Sequence, residues 1–137
     1  MSILDPGEIP SWPNNVNRDN WMHLSCRDVM DNTIENAPQL SHVVSALEWA
    51  AKLPKNSVLL IHCHAGISRS TAIAIAILVQ SGWGIQKSVD YVKSMRRIMA
   101  PNPILTQYAD DYLKMNGKLH QAAQDAVDYV NLLEKNK

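Results

Sequence analysis

The sequence predicts an α/β layered fold with its site at the carboxyl end of a sheet strand. Three observations carry this expectation. Short apolar runs alternate along the chain with longer segments of helical period. An apolar run, Val58-Leu59-Leu60-Ile61, leads into the loop His62-Cys63-His64-Ala65-Gly66-Ile67-Ser68-Arg69-Ser70, and a long apolar stretch from Thr71 to Val79 leaves it. With 137 residues and 46 % hydrophobic content, the chain has the size and apolar content of a single domain over 1–137 with a sizeable core.

In chain order, residues 1–20 are rich in Pro, Asn and Asp and read mostly as loop, with Ser2-Ile3-Leu4 as a short strand. A strand over 21–26 follows. From Gln39 to Leu53 the positions Leu40, Val43, Val44, Leu47, Ala50 and Ala51 keep helical spacing, and Pro54 stops the helix. A buried strand over 57–62 and a helix over 69–81 bracket the loop. Gly82 and Gly84 break the chain before a helix over 85–99, with Ile85, Val89, Val92 and Met95 or Met99 on one face. Asn102-Pro103 supplies an N-cap and a proline at the first helical position for the next helix, which Gly117 ends. From Lys118 to Glu134 a helical period through Leu119, Ala122, Ala126, Val130 and Leu133 predicts a tail docked on the body. The chain has neither internal repeats nor low-complexity segments.

The loop carries the chemistry. Five residues between Cys63 and Arg69 can wrap the backbone into a cradle whose N–H groups point inward, and the following helix adds the positive end of its dipole, so an anion of phosphate size is expected at the centre. Arg69 offers a planar fork for two phosphate oxygens, and the amides of His64, Ala65, Gly66, Ile67 and Ser68 complete the substrate-binding set. Gly66 permits positive φ where a Cβ would clash. The same field acts on the thiol. A cysteine at a helix N-terminus beside arginine falls from about 8.5 to roughly 3.5–7.5, so Cys63 is expected as a thiolate nucleophile. Ser70, or Ser68, can donate a hydrogen bond to its sulfur.

This run resembles the H-C-x-x-G-x-x-R-S signature of cysteine-dependent protein tyrosine phosphatases. Ala-Gly-Ile-Ser-Arg-Ser is similar to the dual-specificity branch and to small bacterial phosphatases. The Pro101-Asn102 pair, Leu105 and an upstream Asp extend the resemblance over about residues 20–115. The resemblance implies a central, mostly parallel sheet flanked by helices and a two-step hydrolysis through a phosphocysteine, with no metal and no cofactor. Related phosphatases place another strand and helix ahead of the position where this sequence starts, so the chain is expected to lack them.

That mechanism needs a general acid to protonate the leaving oxygen. Asp28 and Asp31 stand 35 and 32 residues before Cys63. In the family the acid lies in the loop after a strand, and Leu24-Ser25-Cys26-Arg27-Asp28 fits that context, whereas spacing alone favours Asp31; the loser is a capping or solvated carboxylate. Glu35 ranks third. The family histidine before the nucleophile holds the loop through backbone hydrogen bonds, a role that falls here to His62. His64 either contacts substrate at the rim or is solvated. Arg96 and Arg97 stand near where dual-specificity relatives have an arginine that meets a second anion, against a plain reading as solvated helix charges. Asn102 caps a helix or touches the site's rim. Cys26 is a buried small residue, or a disulfide partner of Cys63 under oxidation as in some relatives. Trp12, Trp21, Trp49 and Trp83 read as packing groups, with Trp12 or Trp21 able to line a pocket.

Thirteen basic and thirteen acidic residues cancel, which gives no global field for nucleic acid or an anionic membrane. The stretch over 71–79 is too short to span a bilayer, no signal-peptide pattern opens the chain, and two cysteines make no disulfide framework. These features point to the cytoplasm. The expected activity is phosphomonoester hydrolysis by Cys63, Arg69, Asp28 and Ser70 on a phosphorylated protein. Superfamily members acting on lipid and inositol phosphates carry lysines in the loop, where this chain has His64 and Ile67. The alternatives are a small-molecule phosphatase for nucleotides or inositol phosphates, and a phosphate-binding module without turnover.

Overall fold

Two short apolar runs separated by a long loop pair side by side. In the computed structural model, which describes residues 1–10 and 15–127, β1 (Ser2–Leu4) and β2 (His23–Ser25) run parallel in the register Ser2 to His23, Ile3 to Leu24 and Leu4 to Ser25. On its other side β1 forms a parallel bridge from Ser2 to His62; Ile3 N–H donates to the His62 carbonyl at 2.9 Å and His62 N–H to that of Met1 at 3.0 Å. The middle position of β1 explains why Ser2, Ile3 and Leu4 are all buried, as a parallel strand covered on both faces must be. All three segments run the same way. Asp5, Cys26 and Cys63, the residues that follow them, therefore emerge at one edge.

The strand expected over 57–62 is reduced to the bridge at His62, and its apolar run is not buried throughout. Leu59 and Ile61 are half-buried against the core, while Val58 is fully exposed and Leu60 is 73 % exposed. The run alternates inside and outside with the period of extended backbone, so the sequence gives it four apolar residues and the structure buries two faces unequally.

Four helices, α1 (Leu40–Ala51), α2 (Arg69–Gln80), α3 (Ile85–Met95) and α4 (Pro103–Leu113), surround a core with α2 at its centre. Ala72, Ile73, Ile75 and Ala76 of α2 are essentially inaccessible, which seats the helix that follows the loop in rigid packing. Asn102 caps α4 as its sequence predicts, with Oδ1 accepting from the N–H of Ile104 at 3.0 Å and of Leu105 at 3.2 Å. Helix α3 stops at Met95, short of the expected 99, because Arg96 turns to extended backbone; Met99 is then buried outside the helix while Met95 is 67 % exposed.

Gly117 does not end α4. Lys114 in the left-handed region closes that helix, and Gly117, at φ +81°, opens α5 (Lys118–Asp125). The corner is held by Asp110, 2 % exposed, whose carboxylate accepts from Gly117 N–H at 2.8 Å and His120 N–H at 3.0 Å. Thr106 and His120 meet at 2.8 Å beside it. The tail contacts expected of Val130 and Leu133, and any role of Trp12, lie outside the described residues. No helix among the described residues is long and apolar enough to cross a membrane.

Replacing Asp110 removes the acceptor of two partly buried amides, so Asp110→Ala is expected to lower unfolding stability by about 1–2 kcal/mol in urea titration. Asp110→Asn, which keeps one acceptor oxygen, should lose less. Equal losses in the two variants would show that the amides are not what the carboxylate contributes.

Candidate active site

The loop leaves the sheet edge at Cys63 and enters α2 at Arg69 with Ser68 as its cap residue. Gly66 adopts φ +68°, and a Cβ there would sit 3.3 Å from Nη2 of Arg96. The positive φ calls for glycine, and a Cβ would press on the Arg96 guanidinium. Cys63 is 8 % exposed, and its Sγ lies 3.2 Å from Oγ of Ser70. Burial pushes its thiol up, but the hydroxyl and amide of Ser70, the amide of Gly66 and the Arg69 charge together outweigh burial and bring it below the usual cysteine value. Cys26 shows the opposite balance. Burial dominates there and pushes its thiol up to about 11, despite Arg69, with Asp28, Asp5 and Cys63 adding to the rise. Both cysteines are free thiols.

Arg69 is 3 % exposed and held along one edge. Its Nη1 donates to Oδ1 of Asp5 at 2.6 Å and to the carbonyl of Cys26 at 2.7 Å. Its Nε is buried without a hydrogen-bond partner, the one side-chain nitrogen or oxygen among the described residues in that state. A buried donor of this kind is costly unless an acceptor meets it. Asp5 escaped the sequence reading. The available signal was a carboxylate directly after a strand that ends at the same edge as the nucleophile.

Of the two acid candidates, Asp28 is brought to the loop and Asp31 is not. Oδ1 of Asp28 accepts from Oγ of Ser68 at 2.7 Å and from Nδ2 of Asn102 at 2.9 Å, and Nδ2 also donates to the Val29 carbonyl at 3.0 Å. Asp31 closes its own turn by accepting from the amide and hydroxyl of Thr33, which hold its carboxyl below the usual range. Ser68 thus serves the acid loop and Ser70 the thiol, so the hydroxyl left open between them is divided. Asn102 both caps α4 and reaches the site's rim.

Arg96 is exposed but bound to the loop: Nε donates to the Gly66 carbonyl at 3.0 Å and Nη2 to that of Ala65 at 3.2 Å. Arg97 is exposed, as are His64 and Ala65, while Ile67 and Ser68 are half-buried. His62 supports the loop from below. Trp21 Nε1 donates to Oγ of Ser2 at 2.9 Å, Oγ lies 2.6 Å from Nε2 of His62, and Nδ1 of His62 lies 3.3 Å from the Cys63 carbonyl. The Cys63 carbonyl can only accept, so in that contact Nδ1 is the donor. Trp21 also stacks on His23 and Trp83 packs edge-on against Tyr91, so these rings are packing groups. Among the described residues no three His, Cys, Asp or Glu side chains are clustered to hold a metal ion.

The profile of the family described as "Dual specificity phosphatase, catalytic domain" matches residues 7–111. Protein phosphatase Slingshot homolog 1 of Mus musculus is 34 % identical over 80 residues, covering 57 % of this chain and 8 % of the relative. Dual specificity protein phosphatase 15 of Mus musculus is 43 % identical over 54 residues, 39 % of this chain and 23 % of the relative. Dual specificity protein phosphatase 2 of Homo sapiens is 36 % identical over 78 residues, 54 % and 24 %. The chain thus spans at most 24 % of the length of these three relatives. No solved structure gives a significant match.

The opposite displacement of the two thiols gives a direct test. Iodoacetamide between about pH 6 and 8 should label Cys63 and leave Cys26 untouched, as read by peptide mass spectrometry, because only the thiolate reacts. Labelling of Cys26 at a comparable rate would contradict its burial and its raised ionisation.

Proposed function

Because this chain belongs to the dual specificity phosphatase catalytic-domain family, we propose that it hydrolyses phosphomonoesters on phosphorylated proteins through a phosphocysteine. The observation that carries the reading is the buried guanidinium of Arg69, fixed along one edge by Asp5 and Cys26 and presenting an unpartnered Nε beside a thiol biased toward its ionised form. A phosphate seated in the loop meets this donor and the inward amides, and Sγ of Cys63 attacks phosphorus from beneath. The S–P bond forms as the P–O bond to the leaving group breaks. Asp28, held at the loop by Ser68 and Asn102, gives its proton to the departing oxygen and then takes one from the water that cleaves the phosphocysteine. Ser70 stabilises the thiolate expelled in that second step. A thiolate nucleophile of this kind is suited to the reducing cytoplasm.

A protein substrate is favoured over a small phosphate by the loop itself, where His64 and Ile67 stand without lysine charge for a multiply anionic head group. The names of the related protein phosphatases lean the same way. A binding module without turnover has no use for an acid held at 2.7 and 2.9 Å by two side chains.

With p-nitrophenyl phosphate and EDTA present, turnover is expected, and Cys63→Ser should reduce kcat by at least about 10³-fold. Turnover that needs added metal would sink the mechanism. Since the thiol of Cys63 is lowered, kcat/KM should rise with pH and level off below the ordinary cysteine range. Asp28→Asn should lower kcat by about 10²-fold and flatten the basic limb of the pH–rate profile. Asp31→Asn should leave both features in place; the reverse pattern transfers the acid's role to Asp31.

A further inference from the structure

An anion cradle requires successive peptide planes to turn N–H inward, which turns every carbonyl outward and leaves it in need of a donor. Four consecutive carbonyls of this loop find donors in one segment. Ala65 O accepts from Nη2 of Arg96 at 3.2 Å and Gly66 O from its Nε at 3.0 Å. Ile67 O accepts from Ala100 N–H at 2.9 Å and Ser68 O from Asn102 N–H at 3.1 Å. Segment 96–102 is thus a strap along the outside of the loop. The early end of α3 fits this arrangement: Arg96 leaves the helix at φ −131° and ψ 90°, and buried Met99 anchors the strap between its two ends.

The contacts of Arg96 fall on the two carbonyls that flank the flexible point of the loop. Gly66 at φ +68° is where a peptide plane can rotate at little steric cost. The plane whose carbonyl accepts from Nη2 carries the N–H of Gly66, and that N–H is one of the groups favouring the Cys63 thiolate. Fixing the carbonyl on the outside fixes the amide on the inside. A guanidinium suits this because Nε and Nη2 lie on one rigid edge and grip two carbonyls at once, which an ammonium does not.

We propose that Arg96 is a positioning residue that locks the Ala65–Gly66 and Gly66–Ile67 peptide planes, the first with its amide toward the thiol, so that nucleophile ionisation and phosphate affinity depend on a side chain outside the cradle. The proposal rests on the phosphatase reading only for its meaning in turnover, because both readouts below need no turnover.

The test follows alkylation of Cys63 by iodoacetamide against pH, and its protection by inorganic phosphate, in wild type, Arg96→Ala, Arg96→Lys and Lys93→Ala, with a thermal melt of each. In Arg96→Ala the midpoint of the alkylation profile should move up by about half a pH unit or more, with phosphate protection weakened about tenfold and the melting temperature nearly kept. Arg96→Lys should restore part of both, since one donor remains. Lys93→Ala, which removes an exposed charge one turn earlier on α3, should match wild type. A folded Arg96→Ala with wild-type ionisation and phosphate affinity overturns the proposal, as does an equal shift in Lys93→Ala, which would make the effect one of general charge. If Arg96→Ala does not fold, Arg96→Lys decides: a partial shift supports the lock and a wild-type profile overturns it. Absence of turnover in wild type would sink the phosphatase reading and leave these arms intact.

Discussion

The site depends on one constraint: the peptide planes from Ala65 to Ser68 must all face the same way. Amides aimed at a point are useful to an anion only while their carbonyls are held elsewhere; Thr71 at the start of α2 donates to the Ile67 and Ser68 carbonyls, and the Ala65 and Gly66 carbonyls take their donors from Arg96. Segment 96–102 reaches all four from outside. The same segment ends at Asn102, whose side chain caps α4 and holds Asp28 and Val29. Loop, strap, helix cap and acid loop therefore form one connected set of hydrogen bonds. A disturbance at Asn102 reaches the nucleophile's cradle and the acid together, because its backbone N–H serves Ser68 and its side chain serves Asp28.

The sheet is small for the task it performs, and its use is to deliver chain ends. Three parallel segments bring Asp5, the carbonyl of Cys26 and the thiol of Cys63 to one edge, and the Arg69 guanidinium reaches the first two of these. Asp5 is 45 % exposed, so its ion pair with Arg69 is partly screened and stabilises the fold by well under the about 3–5 kcal/mol associated with breaking a fully buried pair. Its larger effect is orientation. With Nη1 occupied by two acceptors, the guanidinium cannot rotate freely, and Nε stays committed to the buried side.

Where sequence and structure agree, the signal was local. The N-cap of α4 depends on adjacent residues, Asn102 and Pro103, and the α2 helix on an unbroken apolar stretch, so both were legible. The bounds of α3 were not, since helical period continues past Met95 while Arg96 turns to extended backbone and bonds to the distant loop carbonyls. The run at 58–61 misled for a related reason. Apolar residues report that burial is available, but whether both faces are covered is decided by elements elsewhere, and here Val58 and Leu60 are left open. Asp5 was missed as a site residue, and the contact of Arg96 with the loop carbonyls was not foreseen, because each meets its partner across a separation of 30 or more positions, 64 for Asp5 with Arg69 and 30 for Arg96 with Gly66. Cys63, Arg69, Gly66 and Ser70 sit within one short run, and their proximity needed no tertiary information.

The choice between Asp28 and Asp31 shows how the two levels combine. The two differ by a single helical turn of sequence, too little for spacing to separate, yet their hydrogen bonds assign them different work. Asp31 spends its Oδ1 on Thr33 and shapes its own turn. Asp28 takes both of its bonds on Oδ1, from Ser68 and Asn102, and the side chain is otherwise exposed. An acid anchored through one oxygen has the other free to carry the proton. In the proposed cycle Oδ2 is therefore the atom that gives the proton to the leaving group and later accepts one from water, while the two donors on Oδ1 stay in place through both steps and stabilise the carboxylate that forms between them. Ser68 contributes to both halves of the site, its carbonyl to the orientation of the cradle and its hydroxyl to the orientation of the acid. The distance between nucleophile and acid is thereby fixed through one residue of the loop itself, which is the condition for two groups 35 positions apart in the chain to act on the same bond.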